Sequence, residues 1–165
     1  MNIRPEKSHD HAAIFAVHAE CFPTPAEARL VDLLRSAGRL SISLVVEDES
    51  RIVGHVAFSP VTAATGDVGL GLAPLAVLGS HRRRGIAAEL IKQGLVACRA
   101  AGFRWTVVLG EPSYYGQFGF QPAARFGLSD EYGGGHYFQA LEFVMDAIPS
   151  AGGLVQYSPE FVVVA

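Results

Sequence analysis

His81-Arg82-Arg83-Arg84 sets four side chains that carry or can carry positive charge in a row, followed by Gly85 and an apolar stretch of helical spacing. A helix N-terminus already bears roughly half a positive charge, and a cation in its first turn loses about 0.3–1 kcal/mol compared with an anion there. The arrangement is locally unfavourable unless an anion is bound. The N–H groups of such a turn point outward without intrahelical partners and cradle phosphate readily. Gly85 allows a bulky anion to approach the backbone, and arginine supplies forked donors that match phosphate. The other reading of these residues is a basic surface turn whose arginines are merely solvated. Competing phosphate motifs fail: GLGLAP at 69–74 starts like G-x-G-x-x-G but ends in Pro74 and opens no helix, and G-x-x-x-x-G-K-[ST] does not occur.

Composition keeps this argument local. The 165 residues suit one domain, 1–165, and the half that is hydrophobic suffices for a sizeable core. A net charge of -3 gives the chain no basic footprint for nucleic acid or an acidic membrane. Cys21 and Cys98 are too few for a disulfide framework, and the start MNIRPEKSHDH lacks the apolar core of a signal peptide. A reducing, cytoplasmic compartment is the expected home. The longest apolar run, interrupted by Pro74, falls short of the roughly 18 residues a membrane span needs. His9 and His11 lie near the start without further ligands, so no metal is expected.

The elements that must position the turn follow from periodicity. After an extended start around Ile3, the residues Ile14, Val17, His18 and Cys21 recur at helical spacing until Phe22-Pro23. Thr24-Pro25-x-Glu27 reads as a second helix start, with Thr24 as cap, Pro25 in the first position and Glu27 reaching back. Leu30, Val31 and Leu34 form its stripe, and Gly38 closes it. ISLVVED (42–48) and IVGHVAF (52–58), joined by Glu49-Ser50-Arg51, read as a hairpin. A third strand is expected within 72–78, bulged or splayed at Pro74. After Gly85, the residues Ala87, Leu90, Ile91, Gly94, Leu95 and Cys98 mark one helix face, with Glu89, Lys92 and Arg99 off it. Gly94 predicts a close approach to another backbone. WTVVLG (105–110) is a further buried strand, so strand, charged turn, helix and strand form a βαβ unit with a parallel pair. EPSYYGQFGF supplies a short helical turn, YFQALEFV (137–144) a strand, and the tail one more extended piece. The fold class is α/β (α+β): a central mixed, mostly antiparallel sheet with a parallel βαβ unit and flanking helices.

PLAVLGSHRRRGIAAELIKQGL, residues 74–95, resembles the acyl-CoA binding segment of the GNAT superfamily of N-acetyltransferases, with Arg82-x-x-Gly85-x-Ala87 in the place of its [RQ]-x-x-G-x-[GA] signature. EPSYYGQFGF, residues 111–120, is similar to the Y-x-x-x-G-F segment of that family, with Tyr115 followed by Gly119-Phe120, and Gly110-Glu111-Pro112-Ser113-Tyr114-Tyr115 resembles the G-[DE]-P-x-x-Y turn of bacterial predicted acetyltransferases. The resemblance implies a GNAT-like domain that transfers an acetyl group from acetyl-CoA directly to an amine. The arginines would then meet the pyrophosphate and ribose phosphate of the cosubstrate. It further implies that Arg82, Arg83, Arg84, Gly85, Ile86 and Ala87 hold those phosphates, and that the backbone of Leu75, Ala76 and Val77 pairs with the pantetheine arm as an added strand.

Direct attack on a thioester needs a base for the amine proton, a donor for the oxyanion and an acid for the thiolate. A backbone N–H near Val77 suits the oxyanion. By resemblance Tyr115 is the acid; its other reading is an aromatic packed among Tyr114, Phe118 and Phe120, where a buried phenol would still need a hydrogen-bond partner. The base is missing where the family often carries it, because GLAPLAV contains no acid. Glu20, Glu27, His55, Glu111 and Glu142 are eligible by type, yet each also reads as a cap, a solvated acid, a satisfied strand histidine or a turn residue. A covalent route through Cys21 or Cys98 lacks a visible Cys-His pair. Phe22, Pro23, Ser59 and the glycine-rich EYGGGHYF (131–138) are candidates to line the acceptor cleft. The expected partners are acetyl-CoA and an amine, with no nucleic acid and no membrane, and a homodimer is left open. The absent strand acid also supports another function, a non-catalytic acyl-CoA binding or sensing module.

Overall fold

The computed structural model describes all residues, 1–165. Strand β1 (Asn2–Pro5) leads into helix α1 (His11–Cys21), whose buried stripe is Ile14, Val17 and His18. Phe22, forced extended by the following proline, ends α1, its N–H bonding back to His18 O at 3.1 Å. Helix α2 (Ala26–Ser36) buries Ala28, Leu30, Val31 and Leu34. It starts one residue later than the sequence suggests: the Thr24 hydroxyl accepts from Ala26 N–H at 3.3 Å, and no reciprocal bond from Glu27 forms. Gly38 closes the helix, and Arg39 N–H bonds back to Leu34 O at 2.8 Å.

Strands β2 (Ile42–Asp48) and β3 (Arg51–Thr62) pair antiparallel. Their loop is two residues, not three: Glu49 and Ser50 both take positive φ, 49° and 64°, the backbone that joins twisted strands tightly, while Arg51 already pairs with Asp48. Strand β4 (Val68–Val77) starts earlier than the apolar pattern predicts and continues through Pro74. A turn of 3-10 helix (Gly79–His81) and residues 82–85 then lead into helix α3 (Ile86–Ala100) and strand β5 (Trp105–Leu109). The expected βαβ unit is present, with β4 and β5 parallel and Leu70 and Gly71 opposite Thr106 and Val107.

The chain groups into two units. The first holds residues 1–58, 73–97 and 159–165, with strand order β1-β2-β3-β4 and α1, α2 and most of α3. Alternation along β3 assigns its faces: Gly54 and Phe58 look toward α3, and His55 toward α1. Gly94 makes the close approach its conformational cost implies, but to a ring rather than a backbone: a Cβ there would lie 2.5 Å from Phe58 Cε1. The second unit holds residues 59–72 and 98–158. Beyond β5 it contains the short helix α4 (Pro112–Tyr115), β6 (Gln121–Pro122), β7 (Leu128–Asp130), β8 (Phe138–Glu142) and β9 (Gly153–Tyr157). Strand β8 lies antiparallel between β5 and β6, and β9 pairs with β7 in parallel and with the end of β3. Strands β6 and β7, of two and three residues, are too short for any periodicity to announce. No helix is long and apolar enough to cross a membrane.

Candidate functional site

The basic turn has the backbone of an anion cradle. Arg83 and Gly85 both have positive φ, 64° and 76°, a conformation that turns successive N–H groups toward one side. Gly85 O accepts the first helical bond from Glu89 N–H at 3.1 Å, so the N–H groups that open α3 follow immediately. A Cβ at Gly85 would meet no protein atom within 4 Å, which leaves the space beside it open. Ile86 is buried and anchors the helix start, Ala87 is half-buried, and residues 82–85 are exposed. Neither Arg83 nor Arg84 has a protein carboxylate partner. Arg82 differs: its Nε donates to Val77 O at 3.1 Å and ties the turn to the end of β4.

The edge of β4 is defined by its neighbours. Leu78 N–H donates to Val53 O at 2.9 Å, and Ala76 O lies 3.3 Å from the Cβ position of Gly54, so both face β3. The polar groups of Leu75 and Val77 therefore face the opposite side. There Val77 O also accepts from Cys21 Sγ at 3.3 Å, which places the end of α1 against the end of β4. Cys98 is buried and its thiol pushed up to about 12 by burial, a poor nucleophile.

In the second unit, Tyr115 packs edge-on against Phe120 at 5.8 Å and Tyr114 at 5.2 Å, and a Cβ at Gly110 would overlap its ring. Its hydroxyl makes no hydrogen bond to the protein, and burial, followed by the neighbouring Tyr114, raises the phenol to about 12. The phenol is thus neutral throughout the physiological range, with its proton unshared.

The eligible bases part company. Glu20 lines a cleft of about 560 Å³ with His9, Asp10, Glu47 and Arg51. Glu111 is exposed beside Ser113, and Glu142 accepts from Ile148 N–H at 2.9 Å. Glu27 lies half-buried on α2 without a cap bond. His55 is fully buried, with Nδ1 2.8 Å from His18 Nε2 and Nε2 2.8 Å from Ser43 Oγ. The connected set His18, His55, Ser43 and Glu6 leaves no spacing signature because its members sit on separate elements; its only trace in the sequence is a histidine on the apolar stripe of α1. Among the cleft candidates, Phe22 stacks on His18 at 6.0 Å, and Ser59 is buried with its hydroxyl unpaired. The glycine-rich 131–138 segment is pinned: Asp130 accepts from Tyr132 N–H at 3.1 Å and Gly134 N–H at 2.8 Å.

Comparison with known proteins gives concordant matches. Residues 2–123 match the family model of the acetyltransferase (GNAT) domain. The chain is 38% identical over 164 residues to the uncharacterized N-acetyltransferase YhbS of Escherichia coli K12, covering 98% of each. The crystal structure of Escherichia coli YhbS in complex with CoA superposes with a TM-score of 0.92 at 37% identity, covering 98% of this chain and 91% of that one. A GNAT family acetyltransferase from Brucella melitensis in complex with acetyl-CoA gives 0.82 at 36% identity, with 97% of both chains covered.

Proposed function

Because the chain belongs to the GNAT acetyltransferase family, we propose that it binds acetyl-CoA at the 82–87 turn and transfers the acetyl group directly to an amine, as one catalytic domain acting in the cytoplasm. The observation that carries this reading is the turn itself: an open backbone cradle at Gly85 flanked by two guanidinium groups without a carboxylate partner. The CoA and acetyl-CoA complexes of the two similar structures support it. The residues present fit the cosubstrate. Arg83, Arg84 and the N–H groups opening α3 would hold its phosphates, and the outward edge at Leu75 and Val77 would receive the pantetheine amides. Val77 O is already occupied by Arg82 and Cys21, so the contribution of Val77 falls to its N–H, which also suits the developing oxyanion. Tyr115 would donate toward the departing thiolate.

Thermal shift with acetyl-CoA and free CoA, followed by thiol release across a panel of a polyamine, an aminoglycoside, an amino sugar and a lysine peptide, tests the proposal. A melting temperature that rises with ligand concentration and thiol release with at least one amine are expected. Stabilisation without release from any amine would favour an acyl-CoA sensing module, and no stabilisation would overturn the binding site.

A further inference from the structure

Residues 79–85 join the end of β4 to the start of α3, and little of this segment is tied to the rest of the protein. Leu78 N–H to Val53 O, at 2.9 Å, is the last backbone bond to β3 before the turn. From there to the first helical bond, Glu89 N–H to Gly85 O, the backbone bonds are local: His81 N–H to Leu78 O at 2.9 Å and Arg82 N–H to Gly79 O at 3.4 Å. The Arg82 side chain reaches back only as far as Val77. One hydrogen bond alone joins the segment to a distant part of the chain: His81 Nε2 stands 3.0 Å from Asp48 Oδ2, 33 positions away.

Such a segment needs a tie. Arg83 takes a positive φ of 64°, a backbone that costs a non-glycine residue energy and persists only where the surroundings impose it. Arg82, Arg83 and Arg84 repel one another and the positive end of α3, so the turn without a ligand gains by opening. Asp48 is a firm anchor, the last residue of β2, paired with Arg51 across the two-residue loop. A carboxylate only accepts, so Nε2 of His81 carries a proton whatever the charge of the ring. The other nitrogen, Nδ1, meets Ser80 Oγ at 2.7 Å. With both nitrogens engaged, the ring has one orientation. Only 14% of the His81 side chain and 28% of the Asp48 side chain are exposed, which spares this bond much of the screening that makes open surface pairs weak.

We propose that His81 is a positioning residue for the cosubstrate and Asp48 its anchor, their bond holding residues 82–85 in the shape that receives the CoA phosphates before the ligand arrives. His81 immediately precedes Arg82, so a fixed ring sets where the donor-rich backbone begins. Where the bond is lost, only a fraction of the molecules hold the turn in that shape, and the apparent affinity falls by that fraction. The bridge has an electrostatic side as well. Asp48 is the one carboxylate bonded to the segment, its charge opposes a phosphate, and the His81 N–H covers it. Removing the ring therefore does two things: it frees the turn and bares an anion beside it. Removing the carboxylate does only the first. Replacing it by an amide does neither, since the amide oxygen still accepts from Nε2–H. A pair that merely stabilised the fold would not impose this order on CoA affinity.

The inference rests on the turn being the CoA site, and titration of the wild-type protein separates the two. Calorimetric titration with CoA is made on the wild type, His81→Ala, Asp48→Ala, Asp48→Asn and the double variant His81→Ala with Asp48→Ala, alongside steady-state kinetics with acetyl-CoA and the fastest amine of the panel. His81→Ala is expected to weaken CoA about 10-fold, as the competent fraction falls with the loss of a hydrogen bond to a charged group. KM for acetyl-CoA should rise in step while kcat holds. Asp48→Ala should lose about 3-fold, and Asp48→Asn should bind as the wild type does. The double variant should lose no more than His81→Ala alone, the non-additivity of two residues that share one bond. Wild-type affinity in His81→Ala, equal losses in Asp48→Ala and Asp48→Asn, additive losses in the double variant, or a fall in kcat without a rise in KM would each overturn the bridge and leave the CoA site standing. The two Asp48 variants decide by themselves if His81→Ala does not fold, and the CoA titrations decide by themselves if no amine releases thiol. No CoA binding by the wild-type protein would overturn the site and the bridge with it.

Discussion

At the scale of the residue, Tyr115 joins two properties that decide its use: its ring is packed and its hydroxyl makes no hydrogen bond. Tyr115→Phe keeps the aromatic contacts and removes a group that bonds to nothing in the protein. The melting free energy should therefore change by no more than about 0.5 kcal/mol, as for a substitution that breaks no contact. If the phenol donates to the thiolate, kcat should fall with KM for acetyl-CoA nearly constant, the mark of an interaction made only in the transition state. A phenol near 12 is a weaker acid than a thiol near about 8.5, so full transfer is uphill and the gain comes from a hydrogen bond to the growing charge. We expect a loss of about 10- to 100-fold, the lower reach of acid–base catalysis. Steady-state kinetics decide; full kcat in the variant removes Tyr115 from the chemistry.

At the scale of the element, the turn before α3 and the helix itself answer to different forces. Arg83 and Arg84 are cations without carboxylate partners at a helix start, whereas Arg82 holds Val77 O. Arg82→Ala should cost about 1 kcal/mol through that lost bond, lowering the melting temperature by roughly 2–4 °C. Arg83→Ala with Arg84→Ala should leave the unliganded melting temperature unchanged or slightly raised and weaken CoA more than its dephosphorylated analogue. Calorimetric titration and melting curves check both. Along α3, Gly94→Ala should gain nearly 1 kcal/mol of helix propensity and lose more to overpacking, about 1–3 kcal/mol, because the added carbon would fall 2.5 Å from the ring of fully buried Phe58. A melting point lowered by a few degrees is expected; a rise would show that Phe58 gives way.

At the scale of the whole molecule, buried imidazoles make stability depend on pH. Burial lowers His18 from 6.5 to about 4 and lowers His55 well below its ordinary value. Between those limits the unfolded chain binds more protons than the folded one, so stability rises with pH across that window. It is fully present above pH 6.5 and is progressively lost as pH falls toward 4. For His18 alone the loss is about 3 kcal/mol, at 1.36 kcal/mol per unit. A second loss follows at lower pH, where Asp10, held at about 2 chiefly by its hydrogen bond from Arg4, takes up its proton. Urea midpoints at pH 7.5, 5.5 and 4 should decline in that order, and His18→Gln should flatten the first part of the decline. A pH-independent midpoint down to 4 would show that the two rings are not buried in solution.

The sequence by itself determined what local rules control. The stripe of α3, the hairpin of β2 and β3, the parallel step from β4 to β5 and the donor-rich turn at Arg82–Gly85 all follow from periodicity, turn chemistry and the asymmetry of helix ends, which act over a few residues. Family likeness at the same turn and at Tyr115 followed from the same short stretches. Only the tertiary structure decided what non-local packing controls. Gly94 meets a ring and not a backbone, Asp130 pins the glycine-rich segment, and Arg82 is divided from Arg83 and Arg84 by one carbonyl on β4. The row His18, His55, Ser43 and Glu6 draws on α1, β3, β2 and the residues after β1, up to 37 positions apart for the first pair. No spacing rule connects such residues, because strand pairing and helix docking, not chain distance, set which side chains meet.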